Sequence, residues 1–184
     1  MQLITGDIDK LKESSDPFNF ETGVATPSGK TLTAVELYEI LKETMCKHRG
    51  LGVSACQIGI MTRVFVIGNP DEPDEVLPVF NPTLVNMSVE TEVYEEGCLS
   101  FPGMYIKIKR PQILRARFTD QFGNTDTKQF SGLTARVFQH EYDHLDGIVF
   151  TRRANTFHLD QAKRQMKKII KLRKSNENIP REIG

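Results

Sequence analysis

The sequence lacks the features that mark membrane, secreted and disordered proteins. No apolar run approaches the ~18 residues that a membrane-spanning helix needs. Three cysteines, Cys46, Cys56 and Cys98, are too few for a disulfide framework, and the first residues show no basic-then-apolar signal pattern. With 39% hydrophobic and 26% charged residues, the 184-residue chain has the composition and length of one globular domain, 1–184. We therefore expect a cytoplasmic protein with reduced thiols and no membrane partner.

A net charge of zero conceals an uneven distribution of charge. The chain has 24 Lys and Arg and 24 Asp and Glu, which argues against a protein that coats nucleic acid and against a DNA partner. However, residues 1–151 hold 14 basic and 21 acidic side chains, a balance of −7. Residues 152–174 hold nine basic and one acidic, a balance of +8. A mostly acidic body is thus followed by one basic segment.

The hydrophobic pattern predicts helices and strands without regular alternation. Residues 1–30 predict an irregular arm, whereas Thr33 and Glu36 form a capping box that predicts the start of a helix. Further helices are expected from Thr134 to Gly147 and from about Thr156 to Lys174, the latter as a basic C-terminal helix at 155–175. Strands are expected at 63–67, 89–95, 105–108, 113–119 and 125–130, and a loop with one short strand at 69–82. This order favours an α+β fold.

The strongest local signal for chemistry is His140-Glu141-Tyr142-Asp143-His144. Residues four apart lie on one face of a helix, so both imidazoles can reach a single metal ion. Glu141 can then take a proton from a metal-bound water. The alternative is a pair of surface histidines, because five-residue matches also arise by chance.

A catalytic metal site needs a third ligand and an open position for water. The metzincin pattern would place that ligand at Phe150, which cannot bind metal. A thermolysin-like carboxylate would be Asp160 or Glu177, and neither lies in a recognisable pattern. Cys98, in the run EGCLS, offers a thiolate instead, although a lone cysteine is more often a small buried apolar residue.

The third stretch is GLGVSACQ, which begins at Gly50. Its two glycines leave the backbone open to a peptide, and Gln57 can donate an amide hydrogen to a developing oxyanion. A helix C-cap followed by a tight turn is the alternative explanation for the glycines.

Together, the three stretches resemble the peptide deformylases. The motifs of that family are G-φ-G-φ-A-A-x-Q, E-G-C-L-S and Q-H-E-x-D-H, in this order. The sequence has GLGVSACQ from Gly50, EGCLS from Glu96 and QHEYDH from Gln139, and it departs only at Ser54, where alanine is usual. The resemblance spans roughly residues 35–155. The Phe-Pro-Gly after EGCLS is closest to the plastid and cyanobacterial branch, and is equally compatible with a bacterial source or with a virus that infects bacteria.

The resemblance implies an α+β fold with mixed, mainly antiparallel sheets around a central metal-binding HExxH helix, plus a C-terminal helix. It implies a hydrolase that removes the formyl group from the N-terminal formylmethionine of newly synthesised polypeptides. One divalent ion, ferrous iron in many members and zinc, nickel or cobalt in others, would be held by Cys98, His140 and His144. Glu141 would be the general base, while the Gln57 amide and the Leu99 backbone N–H would bind the oxyanion.

The same resemblance implies a site for the N-formylmethionyl nascent peptide. Backbone hydrogen bonds to the extended peptide would come from Leu51, Gly52 and Gly97. Val137 would line the methionine pocket, and Tyr105 stands where many bacterial members have a peptide-holding arginine. For the basic segment at 155–175, the hypothesis is contact with ribosomal RNA phosphates, and the alternative is a solvated helix face.

Two other classes of function stay open at this point. One is an HExxH zinc peptidase that cleaves internal amide bonds, which is distinguished by its action on blocked rather than formylated peptides. The other is a non-catalytic binding module with a structural metal, which needs a fourth protein ligand. The candidates for that ligand, none with ligand-like spacing, are Cys46, Cys56, His48 and His158.

Overall fold

The computed structural model describes residues 2–5 and 8–177, with side chains described through residue 168. Its α-helices are α1 (Ala34–Lys47), α2 (Gly132–Leu145) and α3 (Thr156–Glu177). Its strands are β1 (Val24–Ala25), β2 (Thr31–Leu32), β3 (Gly52–Ser54), β4 (Val64–Ile67), β5 (Leu77–Met87), β6 (Thr91–Gly97), β7 (Tyr105–Pro111), β8 (Ile113–Thr119) and β9 (Thr125–Ser131). Short 3-10 turns lie at Lys10–Lys12, Ala55–Ile58, Pro73–Glu75 and Phe150–Arg152.

The strands form three sheets, and every pairing between named strands is antiparallel. The largest sheet has the order β3-β4-β5-β8-β9, while β6 pairs with β7 and β1 pairs with β2. Together with α1, α2 and α3, this arrangement confirms the predicted α+β fold with mainly antiparallel sheets. None of the helices within the described ranges combines the length and apolar character needed to cross a lipid bilayer.

Strand β4 is buried on both faces because a helix covers each of them. Successive side chains of a strand point to opposite faces. Val64 and Val66 pack into the core cluster that contains the apolar face of α1, whereas Phe65 and Ile67 pack into the cluster that contains α2. The largest sheet is therefore held between α1 and α2 at this strand. This arrangement fixes the position of the helix that carries the HExxH motif.

Helices α1 and α2 begin close to the residues that the sequence indicates. The predicted capping box is present, with Thr33 Oγ1 accepting from the Glu36 N–H and the Glu36 carboxylate accepting from the Thr33 N–H. Helix α2 begins at Gly132, two residues before the predicted Thr134, and Gly132 has a φ of +57° that suits glycine.

The predicted loop is observed at residues 69–76, but the prediction of a short strand before Pro82 was wrong. Strand β5 begins at Leu77 and continues for 11 residues, although it contains Pro78 and Pro82. The register shifts between Phe80 and Thr83, and Asn81 adopts a φ of +48° there. Pro82 lies within this break, where proline is tolerated, whereas Pro78 pairs with Val66 near the start of the strand.

Helix α3 packs through part of the predicted apolar stripe. Ala162 is buried, and Leu159 and Met166 pack beside it in a cluster with Ile106 of β7. Ile169 and Ile170, the other members of the stripe, lie outside the described side chains. The outward face carries four exposed basic side chains, Lys163, Arg164, Lys167 and Lys168. Lys171, Arg173 and Lys174 also lie outside the described side chains.

We expect Phe138→Ala to lower the free energy of unfolding by about 3–5 kcal/mol, because the fully buried ring anchors α2 to the sheet. Its ring centroid lies 5.0 Å from that of Phe65 and 5.0 Å from that of Phe130. The control is Phe122→Ala in the β8–β9 turn, where the ring is 71% exposed and the loss should be below about 0.5 kcal/mol. Urea unfolding of both variants measures the difference, and equal losses would contradict this packing.

Candidate active site

Three possible metal ligands meet at one point. Cys98 follows β6, while His140 and His144 lie one turn apart on α2. Among the described residues, these three form the group able to hold a metal ion, with one donor atom from each lying within 4.8 Å of the others. Cys98 Sγ is 3.3 Å from His144 Nε2. The structure thus brings together the three residues predicted as ligands.

The donor set fits a divalent transition metal. A thiolate and two imidazoles suit zinc and iron, and three protein ligands leave a coordination position for water or substrate. Four other residues were candidates for a fourth metal ligand. In the described part of the chain, none of them belongs to this group: Cys46, Cys56, His48 and His158. Three ligands with an open position are typical of a catalytic metal site rather than a structural one.

Glu96 orients the first histidine. Its Oε2 lies 3.1 Å from His140 Nδ1, which leaves Nε2 of this ring as the nitrogen available to an ion. Carboxylates in this position fix the ring orientation of a metal-binding histidine and raise its basicity. The Nδ1 atom of His144 is buried and has no hydrogen-bond partner within the described ranges.

A buried ionic network surrounds Glu96. The carboxylate accepts from Arg110 Nε at 2.6 Å, from Arg110 Nη2 at 2.9 Å and from Arg136 Nη1 at 2.7 Å. Arg110 also donates to Asp143 at 2.7 Å, and Asp143 accepts in turn from two nitrogens of Arg153. The network connects β6, β7, α2 and the residues before α3. Every member except Arg153 is buried.

The sequence interpretation missed the arginines of this network. A detectable signal existed for Arg110, because β7 alternates between exposed and buried positions and Arg110 falls on the buried face with Ile106 and Ile108. A charged residue at an inward position of a strand predicts a buried partner of opposite charge. No comparable signal marks Arg136 or Arg153, whose partners depend on how the helices pack.

The network and the burial of the site control several pKa values. Burial by itself would raise the pKa of Glu96, but hydrogen bonds from His140 and Arg110 outweigh it and lower this pKa to about 2. Burial by itself would lower the pKa of His140, but hydrogen bonds with Cys98 and Glu96 raise it to about 10. Burial lowers the pKa of His144 well below its usual value. Because the pKa of His140 is raised, an ion that binds to this ring would displace a proton, and metal affinity should rise with pH.

Glu141 is buried beside the metal-binding group, next to two residues of the GLGVSACQ stretch, Ser54 and Gly52. Ser54 Oγ donates to its Oε2 at 2.6 Å. On the other side, a Cβ built on Gly52 would lie 2.8 Å from Glu141 Oε1 and 2.9 Å from Val137 Cγ1. Glycine is therefore required at position 52 by close packing. Burial raises the pKa of Glu141, which favours a group that accepts a proton.

The Gln57 side chain is aimed at the same point. Its Oε1 accepts from the Ser54 backbone N–H at 2.9 Å, so the amide nitrogen faces the opposite way. That Nε2 lies 3.5 Å from Cys98 Sγ and 3.1 Å from Ser100 Oγ. The N-terminal arm supports this turn, because the Ile4 N–H donates to the Gln57 carbonyl oxygen at 2.8 Å.

A cavity of about 500 Å³ opens over these groups. It is lined by all of the predicted site residues except His144: Leu51, Gly52, Gln57, Gly97, Cys98, Leu99, Tyr105, Val137, His140 and Glu141. Tyr105 stands 57% exposed at the rim, and its ring lies against Gly97, to which it is paired across β6 and β7. Leu133, which is 63% exposed, is a further apolar wall residue that the sequence interpretation did not select.

We expect Cys98→Ala to abolish stable metal binding, because the site loses its thiolate and keeps two of three ligands. Elemental analysis after gel filtration should find about one divalent ion per chain in the parent and almost none in the variant. Cys46→Ala is the matched control, since Cys46 packs on the cluster around α1 and should leave metal content unchanged. A Cys98→Ala protein that still held one ion per chain would contradict this ligand set.

Comparison with known proteins identifies the family of this site. Residues 8–160 match the polypeptide deformylase family model. A peptide deformylase of Novosphingobium aromaticivorans is 38% identical over 162 residues, which cover 76% of this chain and 84% of that protein. The crystal structure of a Legionella pneumophila peptide deformylase gives a TM-score of 0.78 at 27% identity, covering 97% of this chain and 98% of that one. An Arabidopsis thaliana peptide deformylase gives 0.77 at 28% identity, covering 100% and 97%. The chain therefore belongs to the polypeptide deformylase family of metal-dependent hydrolases, which remove the formyl group from newly made polypeptides.

Proposed function

We propose that this chain carries out the reaction of its family, hydrolysis of the formyl amide of an N-terminal formylmethionine, at the site formed by Cys98, His140 and His144. The observation that carries the proposal is the convergence of three metal ligands, a buried carboxylate and an amide donor beneath one cavity. The products would be formate and a free amino terminus.

The proposed cofactor is a single divalent ion, with ferrous iron as the native metal. A bound ion would polarise the formyl oxygen and lower the pKa of a water molecule. Support for iron comes from the family resemblance. Zinc, nickel and cobalt are also compatible with one thiolate and two imidazoles. Elemental analysis of protein purified without oxygen would identify the native ion directly.

Glu141 is proposed as the general base and acid. Its carboxylate would take a proton from the attacking water as the new carbon–oxygen bond forms at the formyl carbon. It would then deliver that proton to the leaving nitrogen as the carbon–nitrogen bond breaks. The buried position supports both steps, because burial raises the pKa of the carboxyl group and thereby strengthens it as a base.

Gln57 and Leu99 are proposed to stabilise the negative charge that develops on the formyl oxygen. The orientation of the Gln57 amide supports this role, because its Nε2 rather than its oxygen faces Cys98. The role of Leu99 is supported by its position directly after Cys98 and in the lining of the same cavity. Donors fixed before the reaction need no reorganisation when the charge appears.

Two sheet edges are proposed to hold the peptide. Strand β3 is the edge of the five-stranded sheet, and β6 has β7 as its one neighbour in the described part of the chain. Gly52 of β3 and Gly97 of β6 both line the cavity, and Leu51 lies beside Gly52. An extended peptide can therefore form backbone hydrogen bonds along these edges. Val137 would contact the methionine side chain, and Tyr105 would contact residues farther along the peptide.

The basic face of α3 is proposed to contact ribosomal RNA phosphates, which would bring the cavity near emerging chains. The proposal is supported by the difference between the two faces of α3. Leu159, Ala162 and Met166 pack inward, whereas four basic side chains on the other face are exposed. Because nascent chains appear where ribosomes are, the cytoplasm is the proposed compartment, or an organelle stroma if a transit peptide has been removed.

Glu141→Gln should retain the metal ion but lower kcat for formate release from a formyl-Met peptide by about 10²–10⁴-fold, because the base is lost while the ligands stay. Glu43→Gln, on the exposed side of α1, is the control and should leave kcat unchanged. Metal content is measured on the same samples. Turnover of Glu141→Gln near the parent rate would refute the assignment of the base.

The double variant Lys163→Glu/Lys167→Glu should weaken binding to ribosomes and reduce its salt dependence, because each lost lysine removes a phosphate contact. Formate release from a short peptide should not change, since both side chains are exposed and lie away from the cavity. The matched control reverses the exposed Lys107 and Lys109 of β7. Co-sedimentation across a salt series provides the measurement, and equal ribosome binding by both variants and the parent would rule out this contact.

A further inference from the structure

We infer that Ser54 is a positioning residue for Glu141, an inference that rests on the proposed function. The serine is the one departure of this chain from the first family motif, in which alanine is usual at that position. Alanine has no hydroxyl and makes no such contact. The chain therefore carries an additional hydrogen bond to its proposed base.

The contact is short and buried. Ser54 Oγ lies 2.6 Å from Glu141 Oε2, and the two residues are 0% and 4% exposed. The same hydroxyl lies 3.2 Å from the main-chain oxygen of Glu141, so both of these contacts are with one residue. A hydroxyl that donates to a carboxylate at this distance forms a charge-assisted hydrogen bond, which is about twice as strong as a neutral one.

This bond determines which carboxylate oxygen faces the cavity. Oε2 is held on the inner side by Ser54, whereas Oε1 lies against Gly52, whose missing side chain exposes the wall. Because Gly52 lines the cavity, Oε1 is the oxygen that lies next to a wall residue of the cavity. Ser54 itself does not line the cavity, and it therefore acts through Glu141 rather than on the substrate.

The serine backbone and side chain serve different groups. Its N–H donates to Gln57 Oε1, whereas its hydroxyl contacts Glu141. Ser54→Ala therefore removes the bond to the base and keeps the bond that orients the amide. Strand β3 fixes the serine by pairing Ser54 with Phe65 of β4. The substitution thus removes the contacts of the hydroxyl with Glu141 at a rigid position.

Ser54→Ala should lower kcat for formate release about tenfold and change KM by less than about twofold, because the carboxylate of Glu141 is no longer held in one orientation toward the reacting group. Metal content should stay equal to that of the parent, because no ligand is altered. Ser15→Ala is the matched control, since Ser15 is also buried and its hydroxyl has no partner among the described residues. It should leave kcat unchanged.

Repeating the substitution in a Glu141→Asp variant distinguishes a loss of positioning from a general loosening of the fold. In Glu141→Asp the shorter carboxylate no longer reaches Ser54, so adding Ser54→Ala should lower kcat by less than about twofold more. An equal loss of kcat in both backgrounds, or no loss in the single variant, would overturn the inference. If the parent protein released no formate from a formyl-Met peptide, the proposed function itself would fail, and that result is distinct from either outcome.

Discussion

The structure depends on the buried ion pairs between Glu96 and Arg110. They join the β6–β7 hairpin to α2 by way of His140 on one side and Asp143 on the other. Two buried charges of opposite sign are tolerated because each satisfies the other, whereas removing one leaves an uncompensated charge and costs about 3–5 kcal/mol. The proposed metal ligands come from these two elements: Cys98 follows β6, and the two histidines lie on α2. The same ion pairs therefore support the fold and set the spacing of the site.

Arg136 and Arg153 extend this constraint in two directions. Arg136 donates to Glu96 and to backbone oxygens of Glu92 and Ile108, which fastens both strands of the hairpin to the metal-binding helix. Arg153 pairs with Asp143 just before α3 begins. Because charged hydrogen bonds of this kind are short and directional, small shifts of the hairpin against α2 are opposed. The hydrophobic face of α2 packs on the sheet, and the charged residues on its other face fix its position relative to the hairpin.

Prediction from the sequence succeeded for elements whose hydrophobic pattern repeats regularly over consecutive residues. Strand β8 was predicted with its observed bounds, 113–119, because its inward and outward residues alternate at every position. Strand β5 was underestimated because Pro78 and Pro82 indicate a loop, whereas Pro78 pairs with Val66 near the start of the strand and Pro82 lies in the register break. For the site, the motifs selected residues that the structure brings together, but Leu133 and the arginines were missed. Their roles depend on neighbours that are distant in the sequence.

The sequence by itself determined the chemistry that the site can hold. Spacing of four residues on a helix places His140 and His144 on one face whatever the rest of the fold does, because helix geometry is local. Only the tertiary structure decided that Cys98 completes the group, that Arg110 neutralises Glu96, and that the Ser54 hydroxyl reaches Glu141. These contacts join segments that are between 14 and 87 residues apart. Their geometry arises from the packing of α2 between one face of the largest sheet and the hairpin, which no local pattern encodes.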